Sequence, residues 1–186
     1  WTLEEFLEKI NSSTATPGGG SVAAISAGLG AGLVGMMAKL SIGRIACAEQ
    51  EKILKISTQI DELMIQLGNE AESDIAVFDE VMKAYQGPKE TENDKKERTE
   101  KIQQSLKKAA LVPLETGKIC LQVIQLAEEI AQIGNLNALS DGIAGGLLAE
   151  AALQALLLNV RVNLELIKDS EWKIKPHLEM KRISAE

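Results

Sequence analysis

The sequence predicts an all-α protein, a single domain over residues 1–186 built as a bundle of long packed helices. Three observations carry this prediction. Apolar residues recur at steps of three, four or seven over long stretches, which is the period of a helix face. No segment reads as a strand, and no internal repeat or inter-domain linker interrupts the chain. The composition is 45% hydrophobic but only 3% aromatic, so the core has to be assembled from Ala, Leu, Ile, Val and Gly, side chains that let helices approach closely.

Thr2-Leu3-Glu4-Glu5 is a capping-box pattern, and Leu3, Phe6, Leu7 and Ile10 share one helical face, so a short amphipathic helix is expected from Thr2 to Asn11. Asn11 to Ser21 is expected as a loop, because Pro17 stops regular structure and Gly18, Gly19 and Gly20 adopt backbone angles other residues avoid. Ser21 is a cap candidate for the next helix. Val22 to Ala38 is almost wholly apolar. Its 17 residues reach the lower bound of a membrane span, but its glycines and the soluble amphipathic pattern elsewhere favour a buried helix.

Glu49 to Tyr85 places Ile53, Ile56, Ile60, Leu63, Leu67, Ala71, Phe78, Met82 and Tyr85 at helical steps and predicts one long helix, interrupted at most near Gly68. Gly87-Pro88 ends it. Lys89 to Lys108 is highly charged, and its start is expected to be mobile and solvent-facing. Pro113 marks a helix start or kink before a helix through Leu114, Ile119, Val123, Leu126 and Ile130, ending near Gly134. A polar loop to Asp141 then leads into a helix from Gly142 to Asp169 that is apolar nearly all round.

Composition also excludes functions. A net charge of −7 and a pI near 5.0, with no basic run interleaved with aromatics, argue against nucleic-acid binding. Cys47 and Cys120 lie far apart without a C-x-x-C pairing and read as reduced, buried filler. No metal site is expected, since thiol and imidazole ligands occur in no recognisable spacing, and the single histidine, His177, reads as a surface residue. The first residues from Trp1 onward do not read as a secretory leader, and a cytoplasmic setting without membrane insertion is the expectation.

Several motifs point toward chemistry. Gly30-Ala31-Gly32-Leu33-Val34-Gly35 fits the G-x-G-x-x-G dinucleotide fingerprint, but no second strand follows, so glycines for helix packing are the better reading. Gly28 and Gly32 fit the small-xxx-small spacing that draws helices together. Pro17-Gly18-Gly19-Gly20-Ser21 ahead of a helix offers free N–H groups and a positive dipole end suited to an anion, against the simpler reading of a capped turn. Asp74 lies on or beside the apolar stripe of the long helix, where a carboxylate is partly buried and tuned; the alternative turns Ile75 inward and leaves Asp74 in water. Asp141 stands at a helix start as a cap candidate. On one continuous helix it shares a side with Gly145, Ala152, Asn159 and Asn163, yet lies about 27 Å from Asn159, so the two contact different things or work across a dimer.

Thr16-Pro17-Gly18-Gly19-Gly20-Ser21-Val22-Ala23-Ala24, Asp74 through Phe78, Val112-Pro113-Leu114, Gly134-Asn135-Leu136 with Ser140-Asp141, and Asn159-Val160 with Asn163-Leu164 together resemble the formiminotetrahydrofolate cyclodeaminase family. Gly43-Arg44 and Pro88-Lys89 extend the resemblance over nearly the whole chain. It implies an all-α fold, usually a homodimer, acting on a tetrahydrofolate that carries a one-carbon unit, with no cofactor beyond that substrate.

The resemblance further implies one of two reactions. A cyclodeaminase closes 5-formiminotetrahydrofolate to 5,10-methenyltetrahydrofolate with loss of ammonia, and this is the first expectation; relatives are methenyltetrahydrofolate cyclohydrolases. Animal members join the domain to a formiminotransferase that this sequence does not contain, which moves the balance toward the cyclohydrolase. Asp141 and Asp74 are the expected acid/base pair. Gly18, Gly19, Gly20, Ser21, Asn135, Asn137, Ser140 and Asn159 are expected to hold the pterin or anionic parts, and Lys39 or Arg44 to meet glutamate carboxylates. Two competing classes are a non-catalytic helical interaction module and a dinucleotide-dependent oxidoreductase.

Overall fold

A computed structural model describes residues 2–45 and 47–185, apart from the side chain of Cys47, so the expectation for that thiol lies outside the described residues. The elements are α1 (Leu3–Ile10), α2 (Gly19–Ser41), α3 (Cys47–Tyr85), α4 (Glu92–Ile133), a 3-10 turn (Leu136–Ala138), α5 (Leu139–Leu166) and α6 (Ser170–Ala185), with no strand among the described residues. Helices α2 to α5 form an antiparallel four-helix bundle in which each packs on the next and α5 closes back on α2. Helix α6 lies across α4 and α5. Helix α1 forms with the expected Thr2–Glu5 capping box but buries none of its residues.

The glycines of α2 set how closely the bundle packs. A Cβ on Gly30 would stand 2.5 Å from the carbonyl oxygen of Gly145, and one on Gly145 would meet the Gly30 carbonyl at 2.5 Å, so α2 and α5 touch backbone to backbone. Gly35 faces Ile60 of α3, where a Cβ would fall 2.9 Å from its Cγ2. The G-x-G-x-x-G stretch is thus a packing seam. Its tight contacts come from Gly30 and Gly35, whereas Gly28 and Gly32 meet neighbours no closer than 3.7 Å. Val34, Met37, Ile53, Ile60, Leu106 and Leu156 fill the centre beside these contacts. By length and composition α2, α4 and the segment Leu136–Leu166 are each apolar enough to cross a membrane, and 56% of the most apolar window of α2 is buried inside the bundle.

The helix bounds differ from expectation in several places. Helix α2 begins at Gly19, inside the expected loop, and Gly18 rather than Ser21 is its N-cap. The charged stretch after Gly87-Pro88 is solvent-facing as expected, and it is helical from Glu92: Thr91 and Asp94 form a reciprocal capping box, and Lys95 pairs with Glu92 at 2.6 Å. Of the two expectations for Pro113, a helix start is excluded, because α4 runs through it from Glu92. Helix α5 ends at Leu166, and a separate α6 follows, seated by buried Pro176, Met180 and Ile183. Its His177 is half-buried, with Nδ1 3.0 Å from the Lys173 carbonyl oxygen. Helix α3 runs unbroken past Gly68, and Cys120 is buried, both as expected.

Candidate active site

Helix α2 starts with Gly19 and Gly20 behind a glycine N-cap, Gly18, and so has no N-cap side chain to accept its first N–H groups. A residue from another helix does that work: the Ser21 N–H, third in α2, donates to Asp74 Oδ2 of α3 at 2.8 Å. The Ser21 hydroxyl turns back to the Gly18 carbonyl at 3.1 Å, and Ser21 is fully buried. Gly20 makes the approach possible, because a Cβ there would overlap the Asp74 carboxylate. The anion that the glycine turn and helix dipole attract is therefore the protein's own carboxylate.

Asp74 is half-buried at the head of a cavity of about 420 Å³, between the start of α2, the C-terminal half of α3, the middle of α4 and the end of α5. Polar atoms come from Thr16, Asp74, Asn159, Asn163 and the backbone of Gly18 to Gly20; Val77, Phe78, Met82, Tyr85, Val112 and Val162 form the largely apolar wall. Burial pushes the Asp74 carboxyl above its ordinary value, and the Ser21 N–H opposes this without reversing it. The result is a carboxylate of raised basicity beside apolar surface large enough for a flat heterocycle.

Of the expected site residues, the cavity unites Gly18, Gly19, Gly20, Asp74 and Asn159, with Ser21 fixed directly behind Asp74. The rest lie at the opposite end of the bundle. Asp141 is in the first turn of α5, 18 residues before Asn159, so the helical rise puts it about 27 Å away. The expected pairing of Asp141 with Asp74 is thus not formed within one chain, and Asp141 does not cap α5, whose N-cap is Ala138. Lys39 is exposed and bound to Asp61 at 2.7 Å, and Arg44 is exposed beyond the end of α2. Asn135 is a buried brace: its Nδ2 donates to the Leu40 carbonyl, its N–H to Ser41 Oγ, and its Oδ1 accepts from the Asn137 N–H. Asn137 and Ser140 are exposed beside it.

Sequence reasoning placed Phe78, Met82 and Tyr85 in the core stripe of α3, whereas they line the cavity. The available signal was the change along that stripe from aliphatic residues before Asp74 to Phe78 and the sole tyrosine after it. Among the described residues no cluster of His, Cys, Asp or Glu is placed to hold a metal ion.

Comparison with known proteins assigns this architecture. The family model for formiminotransferase-cyclodeaminase matches residues 2–182. The chain belongs to that family. A methenyltetrahydrofolate cyclohydrolase of Methylorubrum extorquens is 41% identical over 186 residues, covering 100% of this chain and 89% of the relative. The formimidoyltransferase-cyclodeaminase of Rattus norvegicus is 30% identical over 94% of this chain, which spans only 32% of that longer protein. The crystal structure of a formiminotetrahydrofolate cyclodeaminase from Thermotoga maritima superposes with a TM-score of 0.89 at 27% identity, covering 100% of this chain and 89% of that one. These relatives bear the names of folate one-carbon enzymes, and the Thermotoga structure shares the all-helical bundle described above.

Proposed function

We propose that the chain is a methenyltetrahydrofolate cyclohydrolase in which Asp74 is the general base. The observation that carries this reading is the raised, half-buried carboxylate at the head of a mostly apolar cavity. The 5,10-methenyl group is a cation bridging N5 and N10, and an adjacent carboxylate both favours the cation and activates the water that attacks it. Water oxygen bonds to the methenyl carbon as one of its protons passes to Asp74. The carbon–N5 bond then breaks as N5 is protonated, leaving 10-formyltetrahydrofolate and one proton released to solvent. The full-length similarity to the Methylorubrum cyclohydrolase supports the same reading.

The second reading is the cyclodeaminase, favoured by the close structural likeness to the Thermotoga enzyme. There N10 attacks the formimino carbon, a proton reaches the departing nitrogen and ammonia leaves, so the same cation forms as product beside the same carboxylate. In both readings the Gly18–Gly20 backbone and Asn159 face the folate, and Asp141, Asn137 and Ser140 reach reacting atoms only from a second copy. A homodimer fits the exposed stripe of Ile143, Leu147, Leu158 and Val162 on α5, and light scattering on the purified protein tests it.

The deciding experiment follows methenyl absorbance. Accelerated loss from 5,10-methenyltetrahydrofolate in weakly buffered neutral solution establishes the cyclohydrolase. Appearance of that absorbance from 5-formiminotetrahydrofolate, with ammonia released, establishes the cyclodeaminase. Neither change removes both readings.

A further inference from the structure

Pro113 lies inside α4, where its missing N–H leaves the carbonyl of Ala109, four residues earlier, without a helical partner. Such a carbonyl needs another donor when buried. It receives one from α5: Asn163 Nδ2 donates to the Ala109 carbonyl oxygen at 2.8 Å. Ala109, Val112 and Asn163 all line the cavity headed by Asp74. The hydrogen bond does more than repair the helix. An amide can turn over and exchange its oxygen and nitrogen, but with Nδ2 held by a carbonyl only one orientation of Asn163 is satisfied. Its Oδ1 takes no partner among the described residues, and Asn163 is half-buried in the cavity wall.

We propose that Pro113, the Ala109 carbonyl and Asn163 form a fixed hydrogen-bond acceptor that receives an N–H of the bound pterin and orients its ring toward Asp74. The proposal rests on the folate reading given above. A reduced pterin presents several N–H donors on one edge, and beside the apolar wall of Val77, Phe78, Val112 and Val162 the Asn163 Oδ1 is an acceptor with no protein donor of its own among the described residues. Asn163 is thus a specificity-determining residue, and Pro113 a positioning residue acting through it. The proline that weakens the α4 ladder is what presents the Ala109 carbonyl to Asn163.

Proline replacement separates structure from recognition. Pro113→Ala restores the N–H that α4 needs to satisfy Ala109 itself, so this variant keeps or raises Tm. KM for the methenyl or formimino folate rises two- to five-fold, by rough analogy with the partial loss of one hydrogen bond, because the Asn163 amide is no longer held. Asn163→Ala alone orphans the Ala109 carbonyl and lowers Tm by about 3 °C or more. Adding Pro113→Ala to it restores Tm but leaves KM about ten-fold high with kcat changed less than about threefold, the size expected for one ligand hydrogen bond. Pro113→Ala with Asn163→Asp keeps an acceptor in the cavity and recovers most of the lost affinity.

A Pro113→Ala/Asn163→Ala double variant with wild-type KM, or equal KM for the Ala and Asp forms in that background, overturns the proposal while the folate reading stands. A wild-type protein that is neither stabilised by 5-formyltetrahydrofolate nor active on the two substrates overturns both.

Discussion

Replacing Asp74 tests the site most directly, because the carboxylate has two duties that two substitutions separate. Asp74→Asn keeps an oxygen to accept the Ser21 N–H and removes only the charge; Asp74→Ala removes the acceptor as well. Loss of a helix cap costs about 1–2 kcal/mol, and in a domain of this size each kcal/mol lowers Tm by about 2–4 °C, so the Ala variant falls by about 2–8 °C. The Asn variant loses a charge-assisted bond but also the burial cost of that charge, and its Tm stays within about 2 °C of wild type. Turnover falls in both by about a hundred- to ten-thousand-fold, the range for a lost general base. The pH dependence has a definite sign. Burial raises the folded-state value of Asp74, so between the ordinary carboxylate value and the raised one the native state binds more protons than the unfolded state, and stability from this group declines as pH rises. Activity moves the other way, rising with pH through the raised value to a plateau as the base ionises. Melting and kcat/KM measured across pH 4–9 for the three proteins check each step. An Asn variant within about threefold of wild-type kcat/KM would refute the role of Asp74 as base, and one that melts as low as the Ala variant would refute its role as cap.

Gly20→Ala is expected to displace the Asp74 carboxylate and cut activity nearly as far as Asp74→Asn, with Ser21 N–H protection in hydrogen exchange falling alongside it. Gly30→Ala drives a methyl group onto the Gly145 backbone and should cost about 1–3 kcal/mol or more by overpacking, read as a lower urea midpoint. The Cys120 thiol, fully buried and pushed up to about 12, should resist alkylation at neutral pH until the protein unfolds, which mass spectrometry along a denaturant series detects.

The fold was legible where a helix has one apolar face. The stripe from Ile53 to Leu67 announced α3, and Gly68 did not interrupt it because a single glycine costs about 1 kcal/mol against a long packed helix. Proline misled in proportion to how well the fold compensates it. Asn163, 50 residues further along the chain, supplies the donor that Pro113 withholds, and nothing in the neighbourhood of Pro113 announces that arrangement. Pro176 and the charges around it likewise obscured α6, whose buried residues are confined to Pro176, Met180 and Ile183. The charged start of α4 was rightly expected to face solvent, but its helix was not read for a local reason: Thr91 and Asp94 make a capping box with Asp in place of the more usual Glu or Gln.

The site was harder to read, because its decisive contact joins residues 53 apart. Each half was visible alone: a glycine turn fit for an anion, and an aspartate beside an apolar stripe. The turn was read as suited to an anion of a ligand, or as a simple capped turn, because a sequence cannot show that a neighbouring helix already supplies a carboxylate. That substitution decides what the site can do. A helix N-terminus open to solvent binds anions; one closed by Asp74 holds a carboxylate in apolar surroundings, with the Ser21 N–H stabilising its charge enough to keep it ionisable and burial keeping it basic. The ligand such a place favours is a cation, or a group that becomes one as it reacts. The far cluster of Asp141, Asn135 and Ser140 satisfied the same residue-type criteria, but the length of α5 separates it from Asp74 within one chain, and helix length, readable from the sequence, had already set that limit.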